Sequence, residues 1–281
     1  MKYILVILLS FNSYLSFAQT NPVKDIIQRM LNTNEMLRSA KFTLYTEERM
    51  KNGKFVITNR FVKMQTRPKQ IYFYSVKPNP GTEIIWKEGW NENKMLVSPG
   101  SFPFITFSMK PNNSLARKDS HHSILDIGFD YVTEMVGYYL KFYGDRFYNY
   151  ITISDTVQWD NHSCILVTFD FKEYANVNYT VKKKESIIDI AEKFHLNDYT
   201  ILQMNPSLDD FDDVHEGEVI KIPNFYSRKI EFYIDRTSWL PLRQLISDQR
   251  GLYEKYEMKS FLMNPVFKPD EFSPKYKDYK F

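Results

Sequence analysis

Residues 179–223 read YTVKKKESIIDIAEKFHLNDYTILQMNPSLDDFDDVHEGEVIKIP and interrupt a chain that is otherwise rich in strand-like runs. A short strand opens this stretch and leads through a polar turn to Ser186, a residue type that caps helices. Two helices are predicted next, because apolar residues recur at helical spacing and stop at the Asn205-Pro206 pair. A turn at Gly217 and a closing strand complete the stretch. The pattern therefore predicts a β-α-α-β unit.

This unit resembles the LysM module, whose landmarks are matched by Tyr179, Val181, Ile190-Ala191, Phe194, Leu202, Asn205-Pro206, Gly217 and Ile222-Pro223. LysM modules bind chains that contain N-acetylglucosamine, so the resemblance implies peptidoglycan as a partner. It also implies a glycan groove between the loop after the first strand and the loop after the second helix. The glycan-binding residues expected in those loops are Lys184, Glu185, Ser186, Ile187, Met204, Asn205 and Pro206.

The first of these loops departs from the family pattern. LysM modules generally have Gly-Asp-Thr where this chain has Lys184-Glu185-Ser186. A lysine adds a side chain where backbone would approach a sugar, and it adopts a positive φ less readily than glycine. Two interpretations therefore stay open: a glycan-binding module, or a folded insertion that binds no glycan.

The strands on either side of the unit predict that it is an insertion. Residues 164–171 and 229–234 both read as strands, and they would form a hairpin with the unit in place of its turn. We therefore expect a signal peptide at 1–18, a discontinuous domain at 19–177 and 225–281, and a LysM domain at 178–224. Because the two ends of a domain usually lie close together, such an insertion is sterically easy.

The flanking sequence predicts an α+β fold built on antiparallel strands. An amphipathic helix is expected over residues 21–40, with Asn21-Pro22 at its start. Alternating runs then predict strands, with a hairpin turn at Asn52-Gly53, and the helical period returns over residues 120–143. The later strands are expected at 71–76, 82–86, 94–97, 104–107, 149–156, 164–171, 229–234, 242–247 and 252–262.

The tail resembles the closing part of LolA-like lipoprotein carriers in the succession Asp235, Leu240-Pro241, Arg243, Asp248, Gly251, Tyr256, Asn264 and Phe272. The resemblance implies a strongly curved antiparallel sheet, an incomplete barrel with a helical lid, which holds acyl chains in its hollow. Inward residues expected to line the hydrophobic cavity are Phe61, Phe73, Trp86, Phe104, Phe107, Met135, Tyr139, Phe232 and Tyr256. The same residues could instead pack an ordinary filled core.

The first eighteen residues predict export. Lys2 precedes an apolar run, and Ser16-Phe17-Ala18 supplies the small residues of a cleavage site before Gln19. The apolar run is too short for a spanning helix, and no second one follows. We therefore expect a periplasmic protein, associated with the outer membrane or cell wall, with no transmembrane segment after cleavage.

Composition and motifs argue against several function classes. The net charge is only +3, with acids and bases interspersed, so a nucleic-acid partner is not expected. Cys164 is the single cysteine and reads as a buried strand residue. His122 and Asp126 could share a helix face, but a full metal set would need further ligands. No nucleotide-binding or hydrolase motif occurs, so we predict no enzyme activity, no cofactor and no metal.

Two function classes remain. In the first, the large domain binds a hydrophobic ligand, a lipid or lipoprotein acyl chain, while the LysM unit attaches the protein to peptidoglycan. In the second, the protein is an envelope assembly or scaffold factor that binds protein partners. A carrier would need a cavity of several hundred Å³ lined by apolar atoms, whereas a scaffold would show a filled interior and an exposed apolar patch.

Overall fold

The computed structural model describes residues 21–281, so the export signal predicted over residues 1–18 lies outside the described residues. The helices are α1 (Pro22–Met36), α2 (Ser114–Arg117), α3 (Asp130–Tyr143), α4 (Ile187–Phe194) and α5 (Asp198–Met204). The strands are β1 (Ser39–Arg49), β2 (Phe55–Thr66), β3 (Lys69–Lys77), β4 (Glu83–Lys87), β5 (Met95–Ser98), β6 (Phe107–Met109), β7 (Ile151–Trp159), β8 (His162–Asp170), β9 (Asn176–Thr180), β10 (Val219–Pro223), β11 (Lys229–Asp235), β12 (Pro241–Asp248) and β13 (Gly251–Met263).

Eleven strands form one curved antiparallel sheet in the order β6-β5-β4-β3-β2-β1-β13-β12-β11-β8-β7. The first half of the chain builds outward from β1 by successive hairpins, and the last three strands of the chain lie on the other side of β1. The predicted α+β class with a large antiparallel sheet is therefore confirmed.

Local signals explain the start of the fold. Asn21 caps α1, its side-chain oxygen accepting from the Val23 amide at 3.0 Å, and Pro22 occupies the first turn as predicted. The helix ends at Met36 and not at Ala40, because Ala40 pairs with strand residues on both sides. The predicted β1–β2 hairpin is present, and Gly53 takes a φ of 79° in its turn.

Helices α1 and α3 cover one face of the sheet, which we call the inner face. Ile27 and Met30 of α1 and Val136 and Tyr139 of α3 are buried there against apolar side chains from both halves of the sheet. Tyr139 makes ring contacts with Phe147, Phe171 and Phe225. Most of the core therefore lies between the sheet and these two helices.

The C-terminal segment, residues 264–281, covers part of the opposite face. Tyr72 of β3 stacks on Tyr279 with ring centroids 3.9 Å apart, and Phe272 is buried beside it. The Lys63 ammonium group on β2 pairs with the Glu271 carboxylate at 2.6 Å. Strands β2 to β4 are therefore covered on both faces.

The β-α-α-β pattern predicted for residues 179–223 is present as β9-α4-α5-β10. Strands β9 and β10 pair only with each other within the described residues, and the two helices bury a separate cluster around Ile187, Ile190 and Ile201. Strands β8 and β11 on either side of this unit are antiparallel neighbours, so the predicted hairpin is confirmed. The backbone amide of Asn224 donates to the Ala175 oxygen at 3.0 Å, which closes the unit at its base.

Two predicted elements differ from the observed ones. The strand expected at 104–107 is wrong, because only Phe107–Met109 pair with β5 and the preceding aromatic residues are exposed. The helical stretch expected from Ser120 begins as an α-helix only at Asp130, after one short 3-10 turn at 124–126. Among residues 21–281, no helix is both long and apolar enough to cross a membrane.

Candidate functional site

A pocket opens between the inner face of the sheet and the segment that joins β6 to α3. Its volume is about 100 Å³, which is smaller than the several hundred Å³ expected for a carrier. This is room for about seven to ten water-sized groups at roughly 10–15 Å³ each. Strand residues that alternate toward the inner face supply its apolar wall, namely Leu44, Phe73, Ile84, Met95, Ile246 and Met258. Ile124 and Ile127 of the joining segment close the opposite side together with Val132 of α3.

Arg60 is the charged residue that the sheet contributes to this pocket. It lies on β2, two residues before the buried Val62, so the strand period directs it inward. A β-bulge between Asn59 and Arg60 shifts the register against β3 at this point. The guanidinium carbon lies 5.3 Å from the centre of the Phe73 ring, and within residues 21–281 the group has no hydrogen bond or ion pair. Burial lowers the pKa of Arg60, while Glu48, Tyr256 and Asp119 oppose this shift.

A network of buried polar side chains lies beside the pocket and is centred on Glu254 of β13. Its carboxylate accepts from the Asn197 amide at 2.8 Å and from the Tyr226 hydroxyl at 2.7 Å, and it lies 2.7 Å from Nδ1 of His121. Burial alone would raise the pKa of Glu254, but hydrogen bonds and charge from His121 and His122 lower it to about 2. Glu254 is therefore ionised although it is fully buried.

His122 connects this network to the pocket, which its side chain lines. Its Nδ1 lies 3.3 Å from Asp126, and its Nε2 lies 3.1 Å from the Tyr226 hydroxyl. Burial alone would lower the pKa of His122, but hydrogen bonds to Asp126 and Glu254 raise it to about 10. At neutral pH the imidazolium is therefore matched by two carboxylates.

Residues of α5 tie the β-α-α-β unit to the same network. Asn197 caps α5 by accepting from the Thr200 amide, and its side-chain amide reaches Glu254. The buried Arg117 pairs with the Asp198 carboxylate at 2.5 and 2.7 Å, and its guanidinium stacks on Phe211. The unit therefore shares buried charges with the sheet domain.

The structure places only two of the nine predicted cavity residues, Phe73 and Tyr256, at the pocket. Phe61 faces the opposite side and packs against the C-terminal cluster. Phe104 and Phe107 are exposed, so these two assignments are wrong. Trp86, Met135, Tyr139 and Phe232 are buried in the inner core but do not line the pocket.

Most of the residues predicted to bind glycan are engaged within the unit. The Glu185 carboxylate accepts from the Tyr179 hydroxyl, the Lys182 amide and the Lys193 ammonium group. These bonds overcome the effect of burial and lower the pKa of Glu185 to about 2. Asn205 bonds to the backbone of Ile201 and Lys221. Both side chains therefore hold loops together, which the sequence pattern alone did not indicate.

The remaining glycan candidates divide between buried and exposed positions. Ile187 is fully buried, Ser186 caps α4, and Met204 packs toward the sheet domain. Lys184 and Pro206 are exposed, and Lys184 takes a φ of 63°, the left-handed conformation that glycine would adopt without strain. Within the described residues, no hydrogen bond joins the loop at 183–187 to the loop at 204–208.

The other residues considered for catalysis or metal binding are either buried or paired with another side chain. Cys164 is buried, and burial raises the pKa of its thiol to about 11. The neighbouring His162 pairs with Asp235 at 3.1 Å. His122 and Asp126 do not share a helix face, because His122 precedes the short turn at 124–126, but their side chains lie 3.3 Å apart; residues 21–281 contain no group of side chains suited to a metal ion.

Four residues at or beside the pocket were not predicted from the sequence, namely Arg60, Asn197, Tyr226 and Glu254. For Arg60 a signal was present, because it alternates with Thr58 and Val62 on the face opposite Phe61. A charged residue on an apolar strand face is a recognisable marker. Asn197, Tyr226 and Glu254 come from distant positions, and only the tertiary fold brings them together.

Comparison with solved structures finds distant likenesses. MucB is 11% identical with a TM-score of 0.45, and the match covers 90% of this chain and 63% of MucB. The lipoprotein LppX of Mycobacterium tuberculosis is 12% identical with a TM-score of 0.42, covering 88% of this chain and 99% of LppX. A putative outer membrane lipoprotein-sorting protein domain from Vibrio parahaemolyticus is 8% identical with a TM-score of 0.35, covering 89% and 95%.

The chain thus spans less than two thirds of the length of the MucB structure. These likenesses are too distant to indicate function. No curated protein sequence matches the chain. A family profile described as "Protein of unknown function (DUF1571)" matches residues 38–212, which is more than half of the chain. The chain therefore belongs to the DUF1571 family.

Proposed function

We propose that this chain is a non-catalytic protein of the bacterial cell envelope that binds a hydrophobic ligand in the inner-face pocket. The main support is the pocket itself, in which apolar residues from six strands face Ile124 and Ile127 of the joining segment. Its small volume suits part of one alkyl or acyl chain, as in a fatty acid or a lipoprotein acyl group. The rest of that ligand would extend through the open mouth of the pocket. Native mass spectrometry of protein purified from its own envelope tests the proposal, because bound lipid would add a defined mass.

Substitution of pocket and core phenylalanines is expected to separate ligand binding from packing. Phe73→Ala should weaken binding of a fluorescent fatty-acyl probe about tenfold, a loss of roughly 1.4 kcal/mol, because its ring forms the pocket wall. Phe232→Ala, the control in the fully buried core, should cost about 3–5 kcal/mol of unfolding free energy and leave probe affinity unchanged. If neither wild type nor variants bind the probe, the pocket is not a ligand site.

A second candidate function is an envelope scaffold that binds a protein partner. It is favoured by the segment before β6, where Phe102, Phe104 and Ile105 are 85%, 66% and 64% exposed. Clustered exposed apolar residues mark interaction surfaces. Native mass spectrometry also distinguishes this candidate, because a co-purified protein without lipid would favour the scaffold.

For the β9-α4-α5-β10 unit, residues 178–224 in our domain assignment, we propose attachment to peptidoglycan through N-acetylglucosamine. The support is the resemblance to LysM and the exposure of Lys184 and Pro206, while Glu185 and Asn205 would shape the loops without contacting sugar. An export signal at 1–18 would place the protein in the periplasm, at the outer membrane or cell wall.

The purified full chain is therefore expected to sediment with peptidoglycan sacculi. Lys184→Gly should retain sedimentation and raise the free energy of unfolding by about 1 kcal/mol, because it relieves a left-handed backbone strain. Lys183→Gly, which removes the same charge from an exposed neighbour, should give no such gain. Absence of sedimentation at physiological salt would leave the unit a structural role only.

A further inference from the structure

The Arg60 guanidinium has an unusual environment for a charged group. It lies in the pocket against Phe73, among apolar strand residues. The other charged residues that line the pocket, His122 and Asp126, pair with each other. Glu48 is held at 2.7 Å by the Tyr256 hydroxyl. Arg60 is half-buried, and within residues 21–281 it forms no hydrogen bond or ion pair, so its guanidinium is available to an anionic group in the pocket.

Neutral hydrogen-bond donors line the same pocket. The Ser120 hydroxyl accepts from the His122 amide, and the Ser123 hydroxyl accepts from the Leu125 amide. Within residues 21–281 neither hydroxyl donates to a protein acceptor, so both protons are available to a ligand. The pocket thus combines an apolar wall with one free cation and two free hydroxyl donors.

We propose that the pocket takes a single-chain amphiphile whose carboxylate or phosphate head pairs with the Arg60 guanidinium. The planar guanidinium presents a fork of donors that matches the two oxygens of such a head. The alkyl chain would lie against Phe73, Ile84 and Met95. This inference rests on the proposed hydrophobic pocket and adds the charge and chain number of its ligand. A neutral lipid would form no ion pair with Arg60, and the volume is too small for two long chains.

Calorimetric titration of the purified protein with amphiphiles of equal chain length tests the inference. The ligands are dodecanoate, dodecyl phosphate and 1-dodecanol below their aggregation limits, with inorganic phosphate as the head alone. Wild type is expected to bind at least one anionic amphiphile roughly ten- to hundredfold more tightly than 1-dodecanol, because hydrogen bonds to charged groups are strong. Whichever of the two anionic ligands binds more tightly identifies the head as carboxylate or phosphate.

Three variants show whether Arg60 is responsible. Arg60→Met should reduce the preference for an anionic head to less than about threefold and should not lower the melting temperature, because it removes an unpaired charge. Arg60→Lys should keep part of the preference, since it keeps the charge but loses the fork. Arg236→Met, the control, removes an exposed arginine from the β11–β12 turn and should change nothing.

The outcomes separate this inference from the proposed function. If wild type binds 1-dodecanol as tightly as the anionic amphiphiles, or if Arg60→Met keeps the anionic preference, the head-group inference is wrong. The proposal that the pocket binds a hydrophobic ligand is then unaffected. Equal affinity for inorganic phosphate and dodecyl phosphate would also overturn it, because the chain would then contribute nothing. If no amphiphile binds, the proposed function itself fails.

Discussion

Glu254→Leu is expected to lower the free energy of unfolding by about 3–5 kcal/mol, the usual cost of removing one partner from a buried charge pair. The substitution leaves the His121 ring, the Asn197 amide and the Tyr226 hydroxyl without their common acceptor. It also removes one of the two carboxylates beside the protonated His122. Denaturant unfolding followed by circular dichroism measures the loss. Glu254→Gln, which keeps an acceptor oxygen, should cost less.

The pH dependence supplies the control for this prediction. The pKa of Glu254 is lowered from 4.5 to about 2 on folding, so its contribution is present above pH 4.5 and is lost as the pH falls toward 2. The pKa of His122 is raised from 6.5 to about 10, so its contribution is complete below pH 6.5 and is lost as the pH rises toward 10. The stability gap between wild type and Glu254→Leu should therefore be widest between these limits. A gap that stays constant from pH 3 to pH 10 would contradict the charged network.

Local and short-range features of the fold could be predicted from the sequence. The Asn21 cap, the Asn52-Gly53 turn and the β8–β11 hairpin each depend on neighbouring residues or on one strongly alternating pair of strands. The β-α-α-β unit could be predicted for the same reason, because its helices and turns follow one another within a short stretch.

The orientation of β2 could not be predicted, and the candidate site depends on it. Both faces of this strand carry apolar residues, so alternation does not show whether Phe61 or Arg60 points into the pocket. The structure resolves this because the C-terminal segment covers the face of Phe61, while α3 and the segment before it cover the face of Arg60. The C-terminal cover comes from residues some two hundred positions away in sequence, and α3 begins about seventy positions after Arg60. No local pattern encodes either cover.

Excision of the β9-α4-α5-β10 unit is expected to have a larger effect than the sequence pattern indicates. The pattern predicts an independent insertion. The contacts at the base of the unit are consistent with this, because Ala175 and Asn224 share two hydrogen bonds that a short Asn-Gly turn could replace. However, the excision also removes Asp198 from the buried Arg117 and Asn197 from Glu254. We expect the shortened protein to lose several kcal/mol, at about 3–5 kcal/mol for each uncompensated buried charge, and to unfold below physiological temperature.

Restoring neutrality in the shortened protein tests whether these charges are the cause. Arg117→Met removes the cation that loses Asp198, and Glu254→Gln removes the anion that loses Asn197 and leaves a neutral acceptor for Tyr226. The excised protein that carries both substitutions should recover a sigmoidal unfolding transition, whereas the excised protein with the exposed control Lys118→Met should not. If excision alone leaves a cooperative transition at the wild-type temperature, the contacts between the unit and the rest of the chain do not stabilise the fold. If the double substitution restores nothing, the apolar contacts of the unit, such as that of Met204 with the inner core, stabilise the sheet domain more than the buried charges do.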